Sequence, residues 1–444
     1  MFKNKRVWIV WIVLALLGSA GIMIVTGHSS TLDSKQLLGK ELFFADISRP
    51  AGQSCATCHA QEVGWTGPAS DLNAHGSVYR GAVSQRFGNR KPPASGYATA
   101  SPKLHFSAAD RILVGGNFWD GRATGWELGS PAADQAKGPF LNPVEHNMPS
   151  KKSVCTQLST SSEIAALFEK VWGKGSLDCS DEKVSETYNK IALAIAAYED
   201  SSEVNTFSSK FDAWRGGKAK LTDAETRGWK LYSGKGKCAQ CHTLNDPDVE
   251  GDKDLFTDFT YDNLGLPRNP DNPFYNMNSV VLENGKPINP EGRAWIDPGL
   301  GGFLASLADP TDQTWRALPY VTNVKNFSNE ELRKLAEQYY GKHRVPTLRN
   351  VEKKGNADVV KAFGHNGYFK SVWSIVHFYN TRDVKPACED PFTDEKTALA
   401  QGCWPVPEVS KNVNSTELGN LGMTRQEEED LVAFLATLSD GWIK

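Results

Sequence analysis

The stretches "SCATCHA" (54–60) and "KCAQCH" (237–242) carry one pattern, C-x-x-C-H, in each half of the chain. Two thiols three positions apart on a helical turn reach both vinyl groups of a porphyrin, and the histidine that follows points at the iron. Cys55, Cys58, Cys238 and Cys241 are therefore read as covalent haem attachments, with His59 and His242 as axial ligands. Zinc coordination and thioredoxin-like redox chemistry are the competing readings of paired cysteines. Neither explains the histidine after each pair, nor the duplication.

A chain of 444 residues suits two or three domains with ample cores. Its 40% hydrophobic and 23% charged content is ordinary for a globular protein, and a net charge of −3 gives no reason to expect nucleic acid. Residues 1–30 hold Lys3, Lys5 and Arg6 and then the uncharged run "VWIVWIVLALLGSAGIMIVTG". This reads as an export segment: a membrane anchor, or a signal peptide cleaved near Gly18-Ser19-Ala20. Either way the body faces the periplasm, and the membrane is met only through this segment. The other four cysteines fall into local pairs, Cys155 with Cys179 and Cys388 with Cys403, as expected for disulfides in an oxidising compartment.

The fold class expected is mainly α: two cytochrome c-like haem domains with long ordered loops and few short strands. A helix is predicted over 182–202, around "KIALAIAAYED". The polar, glycine-bearing run "SSKFDAWRGGKAK" marks a boundary, giving 1–30, 31–213 for the first haem domain and 214–444 for the second. Capping boxes at Thr222/Glu225, Ser328/Glu331 and Thr424/Glu427 mark helix starts. Residues 266–320, rich in Pro, Gly and Asn, read mostly as irregular loop.

What occupies the sixth iron position decides between carrier and enzyme. An iron with two strong protein ligands carries electrons, whereas a peroxidase needs an open position and a group to shuttle the peroxide proton.

The chain resembles the bacterial di-haem cytochrome c peroxidase and MauG family in "LGKELFFADISRPAGQSCATCH" (37–59), "NFWDGRATGWELGSPAADQAKGPFLNPVE" (117–145), "LTDAETRGWKLYSGKGKCAQCH" (221–242), "RVPTLRNV" (344–351) and "GHNGYFKSVWSIVHFYNTRD" (364–383). The resemblance implies two haem c groups, the first taking hydrogen peroxide and the second storing an oxidising equivalent. It implies that Trp119 of "FWDGR" lies between the haems. Gln135, Pro139 and Glu145 would form the peroxide pocket, with Glu145 as proton shuttle. The segment between Trp119 and Gln135 is six residues longer than the family pattern. His75, sixteen residues after His59, has the spacing of the histidine that binds the resting first iron in classical members. Tyr379, fourteen residues after His365, stands where classical members place Met and MauG-like members place Tyr. A phenolate stabilises oxidised iron, a thioether reduced iron. The family also implies a calcium ion between the domains, here through Asn89 and the carbonyls of Val360 and Ala362, although the usual Thr and Pro are missing at those two sites.

The function expected is a peroxidase that oxidises a periplasmic protein substrate through Trp119. The alternative is a classical cytochrome c peroxidase drawing on a small cytochrome c or cupredoxin. A plain electron carrier would leave Glu145, Gln135 and Trp119 unexplained.

Overall fold

The computed structural model describes residues 31–244 and 253–443. The expected signal or anchor, 1–30, lies outside them. Helix Ser34–Phe44 starts at a capping box in which Asp33 accepts from Gln36 N and the Gln36 side chain returns a bond to Asp33 N. Its Leu38, Leu42 and Phe43 are buried against Val184–Glu199 and Ser162–Trp172. Burying each such side chain contributes about 1.5–3 kcal/mol. Gly39 sits at the crossing: a Cβ there would lie 1.9 Å from the Ala194 carbonyl oxygen. Only glycine lets the two backbones approach so closely.

The second half repeats this construction. Helix Asp223–Ser233, capped by Thr222 and Glu225, crosses Arg425–Ala436, capped by Thr424 and Glu427. Gly228 is its crossing glycine, since a Cβ there would lie 2.0 Å from the Asp430 carbonyl oxygen. In each half a C-x-x-C-H turn follows the first crossing helix, as helix Cys55–Cys58 and as 3-10 helix Cys238–Gln240. The expected pair of cytochrome c-like halves is thus present, and Leu32–Lys444 forms one compact unit.

A third core joins the halves. Leu104 and Leu113, on and beside an antiparallel hairpin of His105–Ser107 and Ile112–Val114, pack with Trp126, Leu300, Leu304, Trp315 and Leu332. Helix Gly299–Leu307 lies in the stretch expected to be irregular. Its glycines lower helix propensity, yet Gly301 lets the helix press against the Ala336 carbonyl and the Tyr340 backbone while Leu300 and Leu304 are buried. Packing overrides propensity there. A second ribbon of the second half, Tyr261–Asp262 with His343–Arg344, meets the first half where Tyr261 Oη donates to the Gly115 carbonyl and Arg344 N to that of Trp119.

The helix predicted over 182–202 spans Val184–Glu199. Part of the boundary run is also helical, Lys210–Arg215, started by a capping box of Ser209 and Asp212. Phe211 joins the second-half core, and Asp212 holds the Arg349 guanidinium at 2.8 and 3.0 Å. Both expected disulfides are formed, Cys155–Cys179 and Cys388–Cys403. Among the described residues no helix is long and apolar enough to cross a membrane.

Candidate functional site

Each C-x-x-C-H turn opens on a cavity. The first, about 1410 Å³, is lined by Cys55, Cys58 and His59; the second, about 1780 Å³, by Cys238, Cys241 and His242. His59 Nδ1 lies 3.2 Å from the Trp65 carbonyl oxygen and His242 Nδ1 2.9 Å from that of Phe256. A carbonyl only accepts, so Nδ1 carries the hydrogen and Nε2 keeps its lone pair for a metal. Burial pushes both imidazoles down to about 4, which keeps them neutral.

The four thiols form no disulfide, and burial pushes Cys58 and Cys238 up to about 12. Thioredoxin-like chemistry needs the opposite shift. Zinc needs four convergent ligands; among the described residues no cluster gathers Cys55, Cys58 and His59, and Cys241 converges only with Asp262 and Glu417, without Cys238 or His242. Covalent haem fits both sites.

The wall of the second cavity adds an independent sign. His343 and His365 are buried and stacked at 3.6 Å, 6° from parallel. Among the described residues His343 Nε2, both His365 ring nitrogens and Arg344 Nε have no hydrogen-bond partner. Asp297, with an oxygen 3.3 Å from His343 Nε2, already accepts from Arg90 at 2.6 and 2.7 Å and from Gly299 N at 3.0 Å. The Arg90 charge opposes a metal ion at this group. Unpaired donors lining a cavity suit the carboxylates that a haem carries.

Trp119 lines both cavities. Its Nε1 donates to the Lys91 carbonyl at 2.9 Å, and its own carbonyl accepts from Arg344 N at 2.8 Å. Gln135, on helix Pro131–Ala136, Pro139, on Gly138–Leu141, and Glu145 all line the first cavity. Burial raises the Glu145 carboxyl above the ordinary range, partly offset by the Arg122 charge and a hydrogen bond from Asn142. Of the longer segment before Gln135, only Arg122 at its start lines this pocket. Trp126 of that segment stacks on Trp315 at 5.4 Å and donates to the Leu104 carbonyl.

A family model described as "Di-haem cytochrome c peroxidase" matches residues 33–220. The methylamine utilization protein MauG of Paracoccus denitrificans is 31% identical over 412 residues, 92% of this chain and 89% of that protein. Cytochrome-c peroxidase IdrP1 of Denitromonas iodatirespirans is 26% identical over 91% of this chain and 81% of its own length. Among solved structures, the diheme peroxidase BthA of Burkholderia thailandensis superposes with a TM-score of 0.67 at 28% identity, over 93% of this chain and 87% of that one. The chain belongs to the di-haem cytochrome c peroxidase and MauG family. It is a peroxidase with two haem groups, takes peroxide as substrate and works with a protein partner.

In this di-haem peroxidase Tyr379, on helix Val372–Thr381, lines the second cavity with His242. Among the described residues its hydroxyl makes no hydrogen bond. Burial, reinforced by Cys238, Cys241 and Asp262, raises the phenol, while Arg382 lowers it.

His75 stands apart from the expected site. Its side chain is 76% exposed, with Nδ1 3.8 Å from an Asp271 oxygen, and it does not line the first cavity. The reason is local: Asn269 and Lys370 side chains hold the His75 carbonyl and Ser77 Oγ donates to Gly367 O, tying this loop to the second half. The calcium expectation meets a similar difficulty. Of the two carbonyls expected to join the Asn89 side chain, that of Val360 accepts from Asn73 at 3.0 Å, and Ala362 lines the second cavity next to the buried Lys361.

Two further groups in the first cavity escape motif reading. Glu199, 4% exposed, is pushed up to about 8 by burial. It follows Ile195 by four residues, so an acid on the apolar face of "AIAAYED" is its sequence signal. His146 donates Nδ1–H to the Ile47 carbonyl at 2.8 Å and is lowered by burial, leaving a neutral ring.

Proposed function

We propose that this peroxidase is MauG-like: it uses the two oxidising equivalents of hydrogen peroxide to oxidise side chains of a periplasmic protein substrate at a distance, with Trp119 as relay. When bound, the two haems supply the redox chemistry, passing two electrons from the substrate to peroxide. With two protons those electrons convert each peroxide to two waters.

His59, oriented by its bond to the Trp65 carbonyl, would hold the first haem iron. Glu145 takes a proton from peroxide and returns it to the departing oxygen, which leaves as water. Its raised pKa makes it a better proton acceptor than a solvated glutamate. The Gln135 amide orients peroxide, and Pro139 shapes the pocket wall. At the second cavity, His242 would hold the iron, and Tyr379 would offer an oxygen ligand that favours its oxidised state.

One observation carries this reading: a single indole lines both cavities, fixed at Nε1 and at its carbonyl. Export to the periplasm, with 1–30 as signal or anchor, accords with the two disulfides and the covalent haem sites. The test is Trp119→Phe in the all-ferric holoprotein mixed with peroxide and followed by EPR. The wild type is expected to lose the ferric signals of both haems, and the variant only that of the first. Equal loss of both signals in the variant would end the relay proposal. Rapid peroxide-driven oxidation of reduced cytochrome c by the wild type, without loss of the second signal, would favour the classical reading instead.

A further inference from the structure

Where the family implies a calcium ion, this chain presents two buried lysines. Lys361, between Val360 and Ala362, is 4% exposed, and its Nζ donates to the carbonyl oxygens of Val63 at 2.9 Å and Asn350 at 2.8 Å. Lys91, two residues after Asn89, is 9% exposed, and its Nζ donates to Thr66 Oγ1 at 3.0 Å and the Pro92 carbonyl at 3.1 Å. Val63 follows the first haem motif and Asn350 the second, so Lys361 ties the halves through backbone oxygens. A hard cation would use the same kind of donor.

Neither ammonium has a carboxylate within ion-pair distance among the described residues, and the two lie near enough for the Lys91 charge to act on Lys361. A divalent cation placed among these carbonyls would meet the Lys91 charge and the Lys361 amine, which burial lowers to about 7 and on which Glu352 acts only from beyond ion-pair distance. The Val360 carbonyl is already engaged by the Asn73 amide.

We propose that Lys91 and Lys361 replace the metal ion in this chain, so that the fixed positive charge between the haem cavities is supplied by side chains and the protein needs no calcium. Lys91 lines both cavities, and its carbonyl holds Trp119 Nε1. Its charge therefore bears on both irons whether or not Trp119 acts as the relay. A tethered ammonium cannot be removed by a chelator, which makes the coupling of the two haems independent of the calcium supply.

The test uses wild-type holoprotein purified in calcium-containing buffer. Metal content is measured by mass spectrometry, and EPR spectra and melting temperature are recorded before and after EGTA. The expected result is no stoichiometric calcium and no change in spectrum or melting. One calcium per chain, or a change in either haem signal reversed by calcium alone, would overturn the proposal. Lys91→Met supplies the second reading, by spectroelectrochemistry of the holoprotein. Loss of the charge should move both haem midpoint potentials negative, and unchanged potentials would refute the charge role. Trp119→Phe leaves the metal content as it was, so failure of the relay and failure of this replacement are distinguishable.

Discussion

Replacing Glu145 by Gln separates proton handling from everything else the first cavity does. Glutamine keeps the side-chain length and the contact with Asn142, so haem attachment and cavity shape persist and only the titrating proton is lost. One positioned acid–base group is worth about 10²–10⁴ in rate, or about 3–5 kcal/mol of barrier. The neighbours narrow that span. Gln135 does not titrate, and Glu199, held up to about 8, is protonated at pH 7 and cannot accept a proton. His146 can, because its Nδ1–H is donated to Ile47 and Nε2 keeps a lone pair. With one fallback base in the cavity, the expected loss is in the lower half, about 10²–10³-fold. The assay is stopped-flow absorbance of the all-ferric holoprotein against excess peroxide, with haem loading matched between variants. The wild-type rate should rise with pH as Glu145 deprotonates through its raised pKa. In the variant this limb should vanish, leaving a flat profile above the acid range because His146 is lowered and already neutral. A variant rate within about threefold of wild type, with the limb still present, would refute the shuttle.

Two further outcomes concern stability. Glu199 is raised from 4.5 to about 8, so the folded state holds its proton more tightly than the unfolded chain. Stability is then whole below about 4.5 and declines as pH rises towards about 8, by an amount on the order of a few kcal/mol. Glu199→Gln should flatten that decline in denaturant melts from pH 5 to 9, and an unchanged slope would discount the buried acid. Gly39→Ala and Gly228→Ala each force a Cβ into a carbonyl oxygen and should cost about 1–3 kcal/mol or more, read as lowered melting temperature. Wild-type melting in either variant would show that the helix crossing is not tightly packed.

What was legible in the chain is what neighbours in sequence bring about. A C-x-x-C-H turn needs only one helical turn to aim two thiols and an imidazole, so both haem sites could be read directly. The capping boxes at Thr222, Ser328 and Thr424 are likewise closed by residues three apart. Helix Gly299–Leu307 was hidden because its glycines mark loops until another helix packs on them. His75 misled for the reverse reason: a spacing along the chain says nothing about which face of a loop is turned outward. The resemblance placed Tyr379 and Glu145, but local pattern alone left both as ordinary side chains.

From residue order alone came the two haem attachments, their imidazole ligands and the mainly helical class, because covalent geometry and hydrogen bonds within a turn act over a few positions. That one indole lines both cavities was expected from the resemblance alone, whereas the buried acid at Glu199 and the buried amines of Lys91 and Lys361 arose only on folding. Burial and electrostatic environment are set by segments hundreds of residues apart in the chain, and no local pattern records which of them will meet.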